Sequence, residues 1–264
     1  MDKIWLENYP AGVPPELDLD PDESLVDILN WVCTEFRDRP AFTNFGHTIT
    51  YGQLDDLSAR IAAWLQTEAG LQRGDRVALM MPNLLQYPVA LFGVLRAGMV
   101  IVNVNPLYTA RELEYQLIDS GARAIVICET AAATLAEISA ETSIEHAVVT
   151  GIGDLLGFPK RQLVNFAVRH IRKMVPSYRL ANAVSIDEVL AVSPDRLESP
   201  SLLARDIACL QYTGGTTGRA KGATLTHGNL VANVRQIRTW FSDRVEEGAE
   251  TIITALPLRA MAVE

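Results

Sequence analysis

The fold is decided by the stretch Val77-Ala-Leu-Met-Met-Pro-Asn-Leu-Leu-Gln-Tyr-Pro-Val-Ala-Leu-Phe-Gly-Val-Leu-Arg-Ala-Gly-Met-Val-Ile-Val-Asn-Val104. It begins with an apolar run that predicts a buried strand, and Pro82 ends that run. Residues 84–95 predict a core-facing helix, and residues 100–104, rich in β-branched side chains, predict a second strand. Buried strands joined by a helix pair in parallel, so the stretch indicates an α/β fold.

The same alternation of strand and helix continues along the chain. Residues 124–128 and 147–150 predict strands, and residues 131–139 predict a helix between them. The motif Thr109-Ala-Arg-Glu112 is a capping box, which marks the start of a further helix. We therefore expect an α/β architecture of mostly parallel sheets flanked by helices.

The uncharged stretch of 19 residues at 77–95 has the length of a membrane-spanning helix. Pro82, Asn83, Gln86 and Pro88 interrupt it, and its periodicity changes at Pro82. We therefore predict a strand, a turn and a helix there rather than a transmembrane segment.

The composition is that of an acidic globular protein. The 264 residues are 48% hydrophobic and carry a formal net charge of −9, which argues against general nucleic-acid binding by electrostatic attraction. Cys33, Cys128 and Cys209 lie far apart in the sequence, so they indicate neither a disulfide framework nor a zinc site. A reducing, cytoplasmic environment is the expected location.

A loop rich in glycine and threonine lies in the segment Tyr212-Thr-Gly-Gly-Thr-Thr-Gly-Arg-Ala-Lys-Gly-Ala-Thr-Leu-Thr-His227. Glycine lets consecutive backbone N–H groups turn toward an anion, threonine hydroxyls add short donors, and Lys221 adds a mobile positive charge. This combination fits a polyphosphate. The loop is not a Walker A motif, because it contains no Gly-Lys-Ser/Thr sequence at the required spacing.

The loop resembles the phosphate-binding motif of the adenylate-forming (AMP-binding) acid ligases. Residues 74–98 and the segment Asn103-Val-Asn-Pro-Leu-Tyr-Thr-Ala-Arg-Glu-Leu-Glu114 resemble the same superfamily. Within it, these segments are most similar to those of bacterial long-chain fatty acid–CoA ligases. The resemblance extends over residues 5–258 and is weakest between 131 and 201.

The resemblance implies a reaction in two steps. A fatty acid carboxylate attacks the α-phosphate of ATP, giving an acyl-adenylate and pyrophosphate, and the sulfur of coenzyme A then attacks the acyl carbon. Lys221 would be catalytic, and the residues implied to bind ATP are Tyr212, Thr213, Gly214, Gly215, Thr216, Thr217, Gly218, Lys221 and Gly222. Mg²⁺ would enter with ATP. The glutamate that holds it in the family belongs to a part of the pattern absent from this sequence, so no metal-binding residue is predicted.

Other interpretations are compatible with the same residues. Thr213 could satisfy its own turn, Arg219 could be a solvated surface charge, and His227 could be a general base. For His227 we favour a residue at the entry of a helix, with a hydrogen-bonded imidazole. For the chain, the alternatives are a non-catalytic product with weak ATP-phosphate binding, a relative that activates an aryl or amino acid, and an unrelated nucleotide-binding module.

A basic segment between Phe158 and Ile186 contains six lysines and arginines and no acidic residue. Within it, apolar side chains of residues 160–179 fall on one helical face and basic ones largely on the other. One hypothesis is peripheral contact of this helix with an anionic membrane, at the inner face of the cell membrane. The other is a surface helix that packs on the sheet and leaves its arginines in solvent.

The domain prediction divides the chain near a linker rich in proline and serine, residues 191–203. Residues 1–200 are expected to form a first α/β subdomain, and residues 201–264 the beginning of a second, with the phosphate loop. Complete members of the resembled family are much longer, and residues 259–264 depart from their pattern. We therefore expect a fragment that is inactive alone and poorly soluble, with an uncovered apolar strand at 251–256.

Overall fold

The computed structural model describes residues 3–10, 12–213, 220–242 and 244–258. The strands are β1 (Pro40–Asn44), β2 (His47–Thr50), β3 (Arg76–Met80), β4 (Val100–Asn103), β5 (Ala122–Cys128), β6 (His146–Thr150), β7 (Ala183–Ser185), β8 (Ile207–Thr213) and β9 (Lys221–Thr226). The helices are α1 (Leu25–Glu35), α2 (Tyr51–Thr67), α3 (Gln86–Arg96), α4 (Ala110–Ser120), α5 (Ala132–Ile138), α6 (Lys160–Phe166), α7 (Ile186–Leu190) and α8 (His227–Trp240).

Among the described residues, seven strands form one sheet in the order β7-β6-β5-β3-β4-β8-β9. The first six strands in this order run parallel, and β9 runs antiparallel to β8 at the edge. The strands β1 and β2 form a separate antiparallel hairpin. The predicted α/β fold, a largely parallel sheet flanked by helices, is therefore confirmed.

Alternate residues of β3 face the two cores on opposite sides of the sheet. Val77 and Leu79 belong to the core that includes α1, α2 and α3, whereas Ala78 and Met80 belong to the core that includes α4 and α5. All four side chains are fully buried. Because both faces are covered, residues 77–80 of β3 are all apolar and show no alternation of apolar and polar residues.

Helix α3 lies very close to α2 at Gly93. A Cβ atom added to Gly93 would lie 2.7 Å from both Cβ and Cγ2 of Ile61. Glycine at this position therefore sets how closely α3 approaches α2 above the sheet.

Reciprocal capping boxes mark the start of several helices. The Thr109 side chain accepts a hydrogen bond from the Glu112 N–H, and the Glu112 side chain accepts one from the Thr109 N–H, as the sequence predicts. The same arrangement begins α1, α2, α7 and α8, at Ser24, Thr50, Ser185 and Thr226. These caps satisfy backbone N–H groups that have no partner within the helix.

Residues 251–256 do not form the strand that their apolar content predicts. They have an irregular conformation, with Ile252 and Ile253 exposed by 82% and 89%. A strand needs a neighbour for its backbone hydrogen bonds, and no described strand pairs with this segment. The prediction is wrong because apolar content alone supplies no pairing partner.

The helix in the basic segment is shorter than predicted. Helix α6 continues as a π-helical turn to Ile171, and residues 172–182 are neither helix nor strand. Across the described parts of the chain, no helix combines the length and the apolar character that crossing a bilayer requires.

The sheet continues across the predicted domain boundary at residue 200. Strand β8 pairs in parallel with β4, with Cys209 opposite Ile101. The predicted linker lies along α2, where the Gln66 side chain hydrogen-bonds both the carbonyl and the N–H of Glu198. The division into residues 1–200 and 201–264 stays a prediction.

Candidate functional site

The hairpin of β8 and β9 brings the two ends of the glycine- and threonine-rich loop together. Thr213 lies opposite Lys221, and Tyr212 lies opposite Gly222, in the antiparallel register of the two strands. The predicted site residues Gly214, Gly215, Thr216, Thr217 and Gly218, together with Arg219, lie outside the described residues. The structure thus shows how the loop is anchored at both ends.

Both ends of the loop lie at the edge of the sheet where the parallel strands have their carboxyl ends. Asn103, the last residue of β4, lies opposite Gln211, and β8 extends two residues further to Thr213. In this sheet, β4 lies on one side of β3 and β5 on the other, so the strand order reverses there. Open α/β sheets bind ligands at the carboxyl ends of strands beside such a reversal.

Thr213 and Lys221 are both exposed, so their side chains are available to a ligand. A threonine hydroxyl and a lysine ammonium on adjacent strands are donors suited to phosphate oxygens. The structure therefore brings together two of the predicted site residues at an accessible position.

The hydroxyl of Tyr212 is directed to α4 rather than to the loop. It donates a hydrogen bond of 2.6 Å to Asp119 Oδ2, and the side chain lies in the core shared with α4 and α5. Burial, reinforced by the Asp119 hydrogen bond, raises the pKa of Tyr212, so the phenol stays protonated. Tyr212 thereby holds the strand that leads into the loop.

Gly222 packs tightly against the ring of Tyr212. A Cβ atom on Gly222 would lie 3.0 Å from Cζ of Tyr212. On the same side of the hairpin, the Tyr115 hydroxyl donates a hydrogen bond of 3.3 Å to the Ala220 carbonyl. Contacts from α4 therefore position both ends of the loop.

A buried network of amide side chains joins β4 and β8 beneath the loop. Asn103 Nδ2 donates to Gln211 Oε1 at 2.8 Å, and the Tyr87 hydroxyl donates to Asn103 Oδ1 at 2.8 Å. Gln116 Nε2 donates to the Asn103 carbonyl at 2.7 Å. The sequence-based predictions do not include this network, although Asn103 and Gln211 stand out as amides near the ends of two apolar strands.

His227 is buried at the start of α8, as expected for a residue at the entry of a helix. Its Nδ1 accepts a hydrogen bond of 3.2 Å from the Leu25 N–H, in the first turn of α1. Burial lowers the pKa of the imidazole, which keeps it neutral and able to accept. The interpretation as a hydrogen-bonded structural residue is confirmed.

The described residues contain no group of three or more histidine, cysteine or acidic side chains that could hold a metal ion. Cys33, Cys128 and Cys209 are buried, free thiols. Burial raises the pKa of Cys33 to about 11 and that of Cys209 to about 12, so neither is a reactive thiolate near neutral pH.

The basic segment exposes apolar side chains and turns two arginines toward the protein. Leu163, Phe166 and Ile171 are exposed by 64%, 58% and 68%. Arg161 forms an ion pair with Asp187, and Arg169 pairs with Glu129 at 2.8 Å. The helix packs on the protein through Val164 and Val168 rather than through these apolar side chains, and Arg169, although ion-paired, remains exposed. The choice between a membrane contact and a surface helix stays a prediction.

The comparisons with known proteins agree on one family. The profile of the AMP-binding enzyme family matches residues 29–262. A long-chain-fatty-acid–CoA ligase of Salmonella typhimurium is 50% identical over 260 residues, which are 98% of this chain and 46% of the relative. A ligase of the same description from Haemophilus influenzae is 51% identical over 262 residues, again 98% of this chain and 46% of the relative.

Solved structures share the fold. A long-chain-fatty-acid-CoA ligase from Archaeoglobus fulgidus matches with a TM-score of 0.66 and 24% identity, over 88% of this chain and 42% of that protein. A protein from Rhodopseudomonas palustris, described as a putative ligase of the same kind, matches with a TM-score of 0.70 and 21% identity, over 90% of this chain and 52% of that one. The chain thus spans about half the length of the curated relatives it matches.

Proposed function

This chain belongs to the AMP-binding enzyme family, and we propose that its β8–β9 loop binds the β- and γ-phosphates of ATP during the activation of a long-chain fatty acid. The reaction proposed for a protein of the relatives' length has two steps. The fatty acid carboxylate attacks the α-phosphate, forming the acyl-adenylate and releasing pyrophosphate. The coenzyme A thiol then forms the thioester and releases AMP and a proton.

The observation that carries the proposal is the pairing of Thr213 with Lys221 at the end of the hairpin where the loop joins the two strands. The Lys221 ammonium is proposed to neutralise charge that develops on the leaving pyrophosphate, and the Thr213 hydroxyl to donate to a phosphate oxygen. The same role extends, on the sequence resemblance, to Gly214, Gly215, Thr216, Thr217 and Gly218. Tyr212 and Gly222 act by holding the ends of the loop.

The cofactors follow from the same reaction. Mg²⁺, when bound to the phosphates of ATP, supplies charge neutralisation, and the described residues contain no metal cluster of their own. Coenzyme A and a long-chain fatty acid are proposed as substrates because the similar proteins are long-chain-fatty-acid–CoA ligases. No described residue is assigned to either of them.

Binding of inorganic pyrophosphate to the 264-residue chain, measured by titration calorimetry, tests the role of the loop. Lys221→Ala should weaken binding by about tenfold or more, since a hydrogen bond to a charged group contributes roughly 1.5–3 kcal/mol. Lys3→Ala removes an exposed lysine that is distant from Lys221 in the sequence, and it should leave the affinity unchanged. Equal effects of the two substitutions would refute a specific role of Lys221.

Contact with an anionic membrane through residues 160–179 is a second proposal. The exposed side chains of Leu163, Phe166 and Ile171 support it, because such groups bury their apolar area when they enter a lipid interface. Arg172, Lys173 and Arg179 are exposed in the same segment and supply attraction to anionic lipid. The protein would then lie in the cytoplasm and at the inner face of the membrane.

Co-sedimentation with phosphatidylglycerol vesicles tests the membrane contact. We expect binding that decreases with salt and is lost when Leu163→Ser and Ile171→Ser are combined. Ile237→Ser, at an exposed apolar position of α8, is the control and should retain binding. Binding that the double substitution leaves intact would contradict the proposal.

A further inference from the structure

A cavity of about 480 Å³ lies at the amino ends of three parallel strands. Its lining includes Arg76, Val100 and Ile207, which are the first residues of β3, β4 and β8. The β8–β9 loop begins at the other end of β8, and a strand of seven residues spans about 20 Å. The cavity is therefore distinct from the β8–β9 loop, whose two ends lie at the carboxyl edge of the sheet.

The lining of this cavity is strongly basic. It contains three arginines, Arg73, Arg76 and Arg205, and one acidic residue, Asp206. Two positive charges are therefore in excess at this place, although the whole chain has a formal net charge of −9. Like charges held close together repel one another, so a bound anion would lower the electrostatic energy of the cavity.

The single carboxylate of the lining is already engaged. Asp206 Oδ2 accepts a hydrogen bond of 2.6 Å from Arg73 Nη2 and one of 2.8 Å from the Leu203 N–H. The Arg73 side chain is nevertheless 51% exposed, and most N–H donors of its guanidinium have no acceptor among the described residues. Arg73 can therefore donate to a ligand while it keeps its ion pair.

Arg76 and Arg205 have no carboxylate partner among the described residues. Arg76 donates from Nε to the Ser120 carbonyl at 2.9 Å and from Nη2 to the Gly121 carbonyl at 3.0 Å. These neutral acceptors hold the guanidinium at the end of α4 without cancelling its charge. Arg205 is exposed, and no described residue accepts a hydrogen bond from its side chain. One guanidinium is thus fixed in place, and the other is free to turn toward an anion.

Apolar side chains form another part of the lining. They belong to Val100, Leu202, Ile207 and Leu210. Ile207 is 45% exposed, and Leu202 and Leu210 are partly buried. An apolar group of a ligand would remove some of this area from water. The cavity therefore offers both positive charge and apolar surface.

We propose that this cavity binds a phosphate monoester whose organic part is apolar, with the phosphate oxygens accepting hydrogen bonds from the three guanidinium groups. A phosphate monoester carries about 1.5 to 2 negative charges at pH 7, which matches the excess in the lining. Guanidinium groups bind phosphate through paired hydrogen bonds. A carboxylate would balance only one of the charges. Both a soluble ester and the headgroup of phosphatidic acid have this chemistry.

Three probes that share an aromatic ring test the proposal: phenyl phosphate, benzoate and benzyl alcohol. Ligand-observed NMR titrations on the 264-residue chain, at pH 7.5 and low salt, give their affinities. We expect phenyl phosphate to bind at least about fivefold more tightly than benzoate, and the neutral alcohol to bind weakest. Equal affinity of phenyl phosphate and benzoate, or no binding of phenyl phosphate at millimolar concentration, would overturn the proposal.

Two substitutions with opposite expected effects place the phosphate in this cavity. Asp206→Asn removes the only carboxylate of the lining and keeps an oxygen for the Leu203 N–H, so it should tighten binding of phenyl phosphate by about threefold or more. Arg205→Gln should weaken it by about threefold or more, because one positive charge is lost. Arg179→Gln, at an exposed arginine outside the lining, is the control and should leave the affinity unchanged.

Weaker binding by a folded Asp206→Asn, or equal effects of Arg205→Gln and Arg179→Gln, would overturn the proposal. The Arg205 side chain has no hydrogen bond to a described residue, so its substitution removes none that supports the fold. If circular dichroism shows that Asp206→Asn is unfolded, the comparison of Arg205→Gln with Arg179→Gln decides.

Co-sedimentation with phosphatidylcholine vesicles that contain phosphatidic acid identifies the source of the ester. Binding that Arg205→Gln weakens would assign the lipid headgroup. Equal binding of the unsubstituted chain and Arg205→Gln, together with Arg205-dependent binding of phenyl phosphate, would assign a soluble ester. Both results support a phosphate monoester as the ligand, and the absence of any dependence on Arg205 in either measurement would contradict it.

Discussion

At the scale of single residues, His227 links two helices that are far apart in sequence. Its imidazole accepts a hydrogen bond from the Leu25 N–H at the start of α1, while the residue itself begins α8. A helix leaves its first N–H groups without partners in its own backbone, so this contact satisfies one of them. The role requires the neutral form of the ring, because a protonated imidazole has no acceptor.

The titration of His227 should make stability depend on pH. Burial lowers its pKa in the folded protein below the ordinary value of 6.5, so the unfolded chain binds a proton more readily. The contribution of His227 is therefore fully present above pH 6.5 and decreases as the pH falls below it, by up to about 1.4 kcal/mol per pH unit. Urea unfolding between pH 7.5 and 5.5 measures this slope.

His227→Gln gives the comparison for that measurement. Glutamine keeps an acceptor for the Leu25 N–H but does not titrate, so the variant should lose stability less steeply on acidification. His170→Gln, at an exposed position, should behave like the unsubstituted protein. If the free energy of unfolding fell equally steeply with decreasing pH in the unsubstituted protein and in His227→Gln, the titration of His227 would not contribute to stability.

At the scale of elements, the amide network fixes β8 against β4 below the loop. Replacing Gln211 with leucine would leave Asn103 Nδ2 without its strong acceptor in a buried position. We expect a loss of about 1–3 kcal/mol in the free energy of unfolding, together with faster hydrogen exchange of β8 amides. The control is Gln72→Leu, at an exposed amide, which should cost almost nothing. Unchanged exchange in Gln211→Leu would contradict a role in holding the hairpin.

Local patterns predicted the elements whose signal lies within a few neighbouring residues. The strand before Pro82, the helix after it and the capping box at Thr109 all appear close to the expected positions. The pairing of β8 with β4 joins residues about a hundred positions apart, and no local periodicity reports such a contact. The same limit explains the wrong strand prediction at 251–256, a segment with apolar residues but with no partner among the described strands.

The candidate site was predictable in chemistry and only partly in geometry. Glycine, threonine and lysine in one loop predicted an anion-binding site. The structure brings Thr213 and Lys221 together where the loop joins the two strands. The hydrogen bond from Tyr212 to Asp119 could not be predicted, because it depends on how α4 packs against the sheet. The ion pairs of Arg161 with Asp187 and of Arg169 with Glu129 could not be predicted for the same reason.

At the scale of the whole molecule, the described surface carries a large exposed apolar area near α8 and residues 244–258. It includes Ile237, Ile252, Ile253 and Leu256, each exposed by more than half. Strand β9 is an edge strand, paired only with β8 among the described strands. Exposed apolar patches and open strand edges both promote association between protein molecules.

We therefore expect the 264-residue chain to self-associate as its concentration rises. Sedimentation velocity should show growing oligomers, and combining Ile252→Ser with Ile253→Ser should reduce them by removing exposed apolar area. Thr251→Ser is a matched control in the adjacent exposed position. A chain that stays monomeric at high concentration would contradict this expectation.

Phosphorus NMR of ATP in the presence of the chain examines the proposed phosphate site most directly, because it reports each phosphate separately. If the β8–β9 loop holds the β- and γ-phosphates, their resonances should shift and broaden more than the α resonance. Lys221→Ala should return them toward the values of free ATP. Equal changes at all three phosphates, or no change at any of them, would contradict the assignment of this loop.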